Sequence, residues 1–362
     1  MKKQLIAAAV ATAIAAPIAA SADVTVYGKL HYSITSFDND NFAGTPADTD
    51  LDADEIPLGF DGTAVMSHDS FFGIKGSEDL GNGLSALFQM EFSISGDSLN
   101  GVANDHNTYV ALAGSWGVVG IGQVDTPLNS STASLELFDQ QIGDNDQLGL
   151  NNIRLQDAVF YMSPNWNGFS FVAGIGMPST SNDSDGIEAV SIAAMYSNGP
   201  WYASLAFEDV SGELVDDLVG LGTNKHDYDK WRLGLGYTAN GFHVGFIYED
   251  REINDLSDLA GYSDDSDTWQ LSASYTAGNN TFKIAYGETD NWGMVGTGTP
   301  YVVGDAEQWT IGVDHKLSNR TKLYAAYTDY DDDFDVTIVV ADRPITFTRD
   351  WSAFSLGIIH TF

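Results

Sequence analysis

WSAFSLGIIHTF, residues 351–362, ends the chain and alternates large apolar side chains with small or polar ones. Because successive side chains of a β-strand point to opposite faces, these residues separate into two sets. One face carries the larger side chains of Phe354, Leu356, Ile358, His360 and Phe362. The other face carries the small or polar side chains of Ser355, Gly357 and Thr361. The segment therefore predicts a strand, apolar on one side, that runs to the carboxyl end.

The same alternation recurs upstream, with an aromatic residue at each end of the apolar face. Six residues separate the members of the pairs Trp231/Tyr237, Phe242/Tyr248 and Trp269/Tyr275. At roughly 3.3 Å per residue and a tilt of about 40°, each pair spans on the order of 15 Å. That length fits the apolar band of about 25 Å on an outer-membrane barrel, with aromatic girdles at both rims. The opposite faces are polar and carry Lys230, Arg232, His243, Gln270, Ser272, Ser274 and Lys283. The pattern predicts a barrel with lipid outside and water inside.

The first 22 residues read as a secretory signal peptide. Lys2 and Lys3 precede an apolar run over residues 5–16, and Ala20-Ser21-Ala22 supplies a small-x-small cleavage site. We expect residues 1–22 to be removed and residues 23–362 to form one barrel domain. Beyond this leader, no stretch approaches the roughly 20 apolar residues of a membrane helix, so a membrane role requires a closed barrel.

Charge and cysteine content narrow the functional classes. The chain has 0 Cys, which suits export through an oxidising periplasm without a disulfide framework. Its formal net charge is -36, and loss of Lys2 and Lys3 with the leader leaves -38. Such a surface repels nucleic acid and attracts cations. Because salt screens exposed charges beyond about 8 Å, only carboxylates that line a narrow passage would control permeation.

Turn signals of two lengths alternate along the chain. Short turns rich in Asn and Gly are expected at residues 77–83, 114–117, 163–168, 197–200, 238–241, 276–280 and 316–321. Longer polar segments lie near residues 34–67, 96–107, 125–153, 178–187, 209–228, 250–267, 289–306 and 329–350. Seven short turns and eight long loops join 16 strands. The prediction is an all-β, antiparallel transmembrane β-barrel with short periplasmic turns and long outer loops.

Acidic residues concentrate in the predicted outer loops. Asp48, Asp50, Asp52 and Asp54 alternate as in a calcium loop, but Ala53 occupies the place of the turning glycine. A dedicated calcium site is therefore not predicted. Two interpretations of the acidic loops remain. They form a charged rim in contact with solvent, or they bind divalent cations weakly and so bridge to anionic lipopolysaccharide.

Several ordered segments resemble the general diffusion porins of the Gram-negative outer membrane, in particular the proteobacterial trimeric type. The matching segments are VTVYGKL (24–30), FGIKGSEDLGNGL (72–84), WGVVGIGQ (116–123), residues 154–164 and the terminal Phe362. The resemblance covers the mature chain and implies a homotrimer in the outer membrane, surrounded by lipid and lipopolysaccharide. It also implies that the third loop, from Asp125 to about Ile153, folds into the lumen and narrows it.

In the family, carboxylates on the third loop face basic side chains on the opposing wall. The candidate carboxylates here are Asp125, Glu136, Asp139, Asp144 and Asp146. The matching wall positions are Lys29, Phe71, Lys75, Tyr109, Gln123 and Arg154, of which three are basic. Strand parity with Gln89 and Ser93 adds Glu91 to the candidate constriction.

Loss of basic partners predicts a constriction with net negative charge and a preference for cations. No Lys or Arg occurs between Lys75 and Arg154, so the third loop carries uncompensated carboxylates. For individual residues, a role outside the constriction is an alternative interpretation. Lys29 and Lys75 are equally compatible with ordinary lumen charges, and Phe71 and Tyr109 with packing against the loop.

Three functions compete. The leading hypothesis is passive diffusion of small hydrophilic solutes and ions, without a cofactor. A substrate-selective channel for an oligosaccharide or a nutrient cation is the second, although only Phe71, Tyr109, Tyr202 and Tyr324 interrupt the polar lumen face. An adhesive barrel with a closed pore is the third. No nucleophile elbow, metal-binding His pair or phosphate loop occurs, so an enzyme is not predicted.

Overall fold

The computed structural model describes residues 23–38, 61–96, 102–103, 106–150, 152–177, 186–211, 227–253, 265–292, 304–332, 336–340, 343–347 and 350–362. The predicted signal peptide and the Asp48–Asp54 motif lie outside these residues. Within these ranges, no helix is long and apolar enough to cross a membrane.

Strands dominate the described residues. They are β1 (Asp23–Asp38), β2 (Gly62–Ser67), β3 (Phe71–Gly81), β4 (Leu84–Ile94), β5 (Val102–Ala103), β6 (Thr108–Gly114), β7 (Gly117–Asp125), β8 (Arg154–Met162), β9 (Phe169–Gly176), β10 (Ala189–Asn198), β11 (Trp201–Val210), β12 (Tyr228–Ala239), β13 (Phe242–Ile253), β14 (Asp265–Ala277), β15 (Asn280–Trp292), β16 (Gly304–Lys316), β17 (Thr321–Asp332), β18 (Val336–Val340), β19 (Arg343–Phe347) and β20 (Trp351–Thr361). Helix α1 (Pro127–Thr132) and a 3-10 helix (Asn145–Leu148) lie between β7 and β8.

The strands close into a ring. Neighbouring strands of the wall pair antiparallel, β17 pairs with β20, and β20 pairs with β1 from Lys29↔Thr361 to Asp38↔Ser352. Strands β2 and β3 both pair with β1, and β5 and β6 both pair with β4, so each couple occupies one position in the wall. The 18 segments of this sheet therefore make a barrel of sixteen strands, as predicted. Strands β18 and β19 form a separate hairpin.

Side-chain exposure confirms the inverted polarity of the barrel. On β20, Phe354, Leu356 and Ile358 are 47%, 51% and 44% exposed, whereas Ser355 is fully buried. Rings on the outer face pair across neighbouring strands, with centroids 4.7 Å apart for Trp201 and Tyr237. Such cross-strand aromatic pairs stabilise a sheet and form the rims expected at the two lipid–water boundaries.

The strands extend beyond the predicted boundaries. Strand β1 continues to Asp38, and β2 occupies residues that the sequence assigned to the first loop. Backbone groups gain hydrogen bonds by continuing the ladder above the lipid, where hydrophobic periodicity no longer marks the strand. Between β2 and β3 the ladder is interrupted, and Asp69 has a positive φ of 35°.

Candidate functional site

The third loop leaves the end of β7 and returns at the start of β8. Thr126 caps α1 by accepting a hydrogen bond from the Asn129 amide at 3.2 Å, and Pro127 occupies the first turn. Asp144 caps the 3-10 helix, which ends at Gly149 with a φ of 81°. These caps give the segment a defined internal structure.

Large apolar side chains of the loop point into protein. Leu128, Leu135, Phe138, Leu148 and Leu150 are at most 2% exposed. Burial of such side chains contributes about 1.5–3 kcal/mol each, which favours one fixed position of the loop.

Glycines in the barrel wall make room for these side chains. A Cβ atom at Gly236 would lie 2.8 Å from Leu135, one at Gly287 would lie 2.6 Å from Leu148, and one at Gly312 would lie 2.8 Å from Phe138. These separations are too short for carbon atoms in contact. Strands β12, β15 and β16 therefore offer shallow recesses in which the loop is seated.

Arg232 of β12 joins both ends of the loop to the wall. One terminal nitrogen, Nη1, donates to Asn152 Oδ1 at 2.8 Å and to Thr132 Oγ1 at 3.3 Å. Its Nη2 donates to the Leu150 carbonyl at 3.2 Å, and its Nε donates to Glu249 Oε2 at 2.7 Å. The guanidinium is fully buried.

Lys283 of β15 holds the middle of the loop. Its Nζ donates to the Leu137 carbonyl at 3.0 Å and to Gln141 Oε1 at 3.2 Å, and it lies 3.0 Å from Asp314 Oδ1. Ser272 and Thr268 add hydrogen bonds to the carbonyls of Leu135 and Leu148. The prediction that the third loop folds into the lumen is confirmed. Arg232 and Lys283, which sequence analysis placed on the lumen face, are buried under this loop.

The loop carboxylates lie close together in unequal environments. Asp139 is exposed, and Glu136, Asp144 and Asp146 are half-buried. Burial, with repulsion from Asp139 and Asp144, raises the pKa of Glu136 to about 8, although Arg232 acts in the opposite direction. Burial and repulsion from Asp146 and Asp139 also raise the pKa of Asp144, against hydrogen bonds from the Gln140 and Asp146 amides. The charge of this loop therefore depends on pH near neutrality.

A second group of ionisable residues lies on β1, β4 and the segments between β2 and β6. We call Tyr27, Lys29, Asp69, Glu91 and His106 the wall cluster. Lys29 Nζ lies 2.6 Å from Asp69 Oδ2, and His106 Nε2 lies 2.9 Å from Asp69 Oδ1. The other ring nitrogen of His106 lies 4.0 Å from Glu91 Oε2, and the Tyr27 hydroxyl donates to Glu91 Oε1 at 2.7 Å.

Two further candidates adjoin the wall cluster. The Phe71 ring lies 6.0 Å from the Tyr27 ring and 5.3 Å from the His106 ring. Lys75 Nζ lies 4.6 Å from the centroid of the Tyr27 ring, at a distance suited to a cation–π contact. Lys29, Phe71, Lys75 and Glu91 are thus brought together on one wall.

The other wall candidates have different surroundings. Tyr109 donates to Gln89 Oε1 at 3.3 Å, and its ring packs edge-on against Phe160 at 5.3 Å. Gln123 pairs with Thr108, so alternation places it on the face of the sheet opposite to Tyr109. That register separates Gln123 from the wall cluster.

Arg154 and Asp125 form an ion pair at the base of the third loop. Arg154 Nε donates to Asp125 Oδ1 at 2.7 Å, and both side chains are about one-third exposed. Asn107 donates to Asp125 Oδ2 at 2.8 Å and accepts from the Asp125 amide at 2.7 Å. The guanidinium thus has a carboxylate partner from the adjacent strand.

Asp69 and His106 were not among the residues predicted from the sequence. The rings of His31 and His68 lie with their centroids 4.5 Å apart and their planes tilted by 31°, and His31 Nε2 lies 3.0 Å from the Tyr324 hydroxyl. The available signal for Asp69 was the run His68-Asp69-Ser70, which interrupts the alternation of the second strand. In the part of the chain that the structure describes, no three His, Asp or Glu residues are arranged to hold a metal ion.

Comparison with known proteins agrees with this architecture. The family model described as Gram-negative porin matches residues 7–335. An outer membrane porin protein of Bordetella pertussis is 28% identical, over 92% of this chain and 95% of that protein. Major outer membrane protein P.IB of Neisseria meningitidis serogroup B is 27% identical, over 89% of this chain and 91% of that protein.

Solved structures share the fold at lower identity. An anion-selective porin from Comamonas acidovorans has a TM-score of 0.69 at 22% identity, over 94% of this chain and 100% of that chain. The trimer form of OmpT from Vibrio cholerae has a TM-score of 0.65 at 16% identity, over 94% and 100% of the two chains.

The porin family and fold are those of channel proteins and not of enzymes. With a closed barrel of sixteen strands, an infolded third loop and a family match over most of its length, this chain belongs to the Gram-negative porins and is an outer-membrane channel for passive diffusion.

Proposed function

We propose that this porin is a homotrimeric general diffusion channel that prefers cations over anions. The observation that carries the preference is the distribution of charge on the third loop and the wall. The loop bears Glu136, Asp139, Asp144 and Asp146 without a Lys or Arg of its own. On the wall, Lys29 and Arg154 each lie within 2.7 Å of a carboxylate oxygen.

Pairing weakens the effect of those two cations on a passing ion. A cation with a carboxylate at contact distance acts as a dipole, whose field falls off faster than that of a single charge. The anion-selective porin from Comamonas acidovorans has the same fold, so this preference has to come from the charges of the present chain. We also propose that residues 1–22 are removed on export and that the chain assembles as a trimer, like the trimer form of OmpT.

The wild-type channel in a planar bilayer with a KCl gradient should give a reversal potential of the sign expected for K⁺ permeation. KCl suits this measurement because its two ions diffuse at similar rates. A reversal potential of the opposite sign would refute the cation preference. Absence of any conductance from folded trimers would instead support an adhesive barrel with a closed pore.

Cation preference should increase as the pH rises from about 6 to about 9. Glu136, with its pKa raised to about 8, is protonated at the lower pH and gains a negative charge at the higher pH. Reversal potentials at several pH values would follow this titration. In Glu136→Gln the step near pH 8 should be absent, whereas Glu78→Gln, at the exposed end of β3, should retain it. A step that persists in Glu136→Gln would assign the titration to another group.

A sugar-selective channel is less well supported. Tyr202 donates to the Ser131 carbonyl and Tyr324 contacts His31, so these two aromatic residues serve to hold structure. Solute flux into proteoliposomes should therefore rise linearly with sugar concentration. Saturation would favour a selective site.

A further inference from the structure

We propose that Asp69 determines the ion preference of the pore by neutralising Lys29. This inference rests on the proposed function, because it identifies the residue that neutralises a basic charge on strand β1 of the barrel wall. Asp69 lies outside the motifs that carry the family resemblance, and local sequence offers no reason to connect it with Lys29, 40 residues earlier.

The backbone around Asp69 is fixed on both sides. The His68 amide donates to the His31 carbonyl of β1 at 2.9 Å, and the Ile94 amide of β4 donates to the Ser70 carbonyl at 2.7 Å. The Ser70 hydroxyl also accepts from the His31 amide at 2.9 Å. Asp69 therefore lies at a break between β2 and β3, and hydrogen bonds to β1 and β4 fix the residues on either side of it. Its φ of 35° is a conformation that Asp and Asn adopt more readily than most residues.

Both carboxylate oxygens of Asp69 have a partner. Its Oδ2 accepts a hydrogen bond from Lys29 Nζ at 2.6 Å, and its Oδ1 lies 2.9 Å from His106 Nε2. The ammonium and the carboxylate are each about one-fifth exposed, so water screens their attraction only in part. Contacts from two sides orient the carboxylate toward Lys29.

Within the wall cluster the carboxylates outnumber the ammonium groups, and the adjoining Lys75 adds one further ammonium beside it. The cluster itself contains two carboxylates, on Asp69 and Glu91, one ammonium, on Lys29, and the imidazole of His106. With a neutral imidazole its net charge is negative, and with an imidazolium it is zero. Removal of the Asp69 charge would make either net charge more positive by one unit. The positive charge of Lys29 would then attract anions in the pore.

Asp69→Asn tests this role with little change in shape. Asn tolerates the positive φ and keeps an amide oxygen near Lys29. One unit charge roughly 5 Å from an ion in a water-like medium changes the permeability of that ion about four-fold, in opposite directions for K⁺ and Cl⁻. The ratio of K⁺ to Cl⁻ permeability should therefore fall about 16-fold relative to wild type. Glu78→Gln, with the same change in charge at the periplasmic end of β3, should leave the ratio unchanged. An Asp69→Asn ratio equal to that of wild type would overturn the proposal.

Block by citrate tests the pairing itself. Freed from Asp69, Lys29 should hold a polyvalent anion, so millimolar citrate should block Asp69→Asn channels but neither wild type nor the double variant Lys29→Gln/Asp69→Asn. Block of wild type as strong as that of Asp69→Asn would show that Lys29 is already available, and would overturn the neutralisation.

The cation preference and the role of Asp69 can be refuted independently of each other. The sign of the wild-type reversal potential tests cation preference, whereas the difference between variant and wild type tests Asp69. Single-channel recordings report only folded channels. Lys29→Gln provides a second readout if Asp69→Asn assembles poorly, because it leaves the Asp69 carboxylate uncompensated and should raise the ratio of K⁺ to Cl⁻ permeability.

Discussion

Arg232→Met should lower the free energy of unfolding by about 3 kcal/mol, because it leaves the buried carboxylate of Glu249 without its main partner. The remaining cation, Lys230, lies 3.9 Å from Glu249 Oε1 and compensates only in part. The substitution also removes the donors to Thr132, Leu150 and Asn152, at the two ends of the third loop. We therefore expect larger and noisier single-channel currents together with a lower urea midpoint in lipid vesicles.

A double variant separates the two effects. Replacement of a whole buried ion pair by apolar residues is often neutral, so Arg232→Met/Glu249→Leu should recover most of the lost stability. The loop would still lack its donors, and the noisy current should persist. Arg320→Met, in the exposed turn before β17, removes the same charge without touching the loop. Normal stability and quiet currents in Arg232→Met would show that Arg232 does not hold the loop.

The barrel could be predicted because its signal is local. In β20, Phe354 and Ser355 reveal two faces within neighbouring residues, and the same two-residue period recurs in strand after strand. Strand ends were less predictable, since the ladder of β1 continues to Asp38 above the apolar band. There the backbone hydrogen bonds persist after the hydrophobic pattern has stopped.

The position of the third loop depends on contacts between distant residues. Leu148 fits against Gly287, and Phe138 fits against Gly312, but a glycine in a strand carries no mark of the side chain it accommodates. The family resemblance predicted the infolding, and the residues alone did not. Arg232 and Lys283 were assigned to the polar lumen, yet their contacts with the loop required the register of the closed barrel.

The ion pairs of the wall cluster could likewise be predicted only in part from the sequence. Lys29, Glu91 and the loop carboxylates were identified as candidates from parity and resemblance. Asp69 was missed because the break at residues 68–70 ends the period on which parity depends. His106 lies before the start of β6 at Thr108 and outside any strand, so strand parity could not place it.

Removal of residues 136–146 should raise the single-channel conductance more than any single substitution considered above. This segment contains Phe138 and Ile142, which are buried in a cluster with Phe37 and Trp351, as well as the loop partners of Lys283. Its loss opens space inside the barrel and also removes Glu136, Asp139, Asp144 and Asp146. Conductance should therefore increase while the preference for K⁺ over Cl⁻ decreases, as measured in planar bilayers.

A charge-only variant distinguishes occlusion from electrostatics in that deletion. Glu136→Gln, Asp139→Asn, Asp144→Asn and Asp146→Asn combined in one chain keep the volume of the loop and its apolar anchors. This variant should lose cation preference with little gain in conductance, because Leu135, Phe138 and Leu148 still seat the loop in the wall. Equal conductance in the deletion variant and wild type would show that residues 136–146 do not occlude the pore.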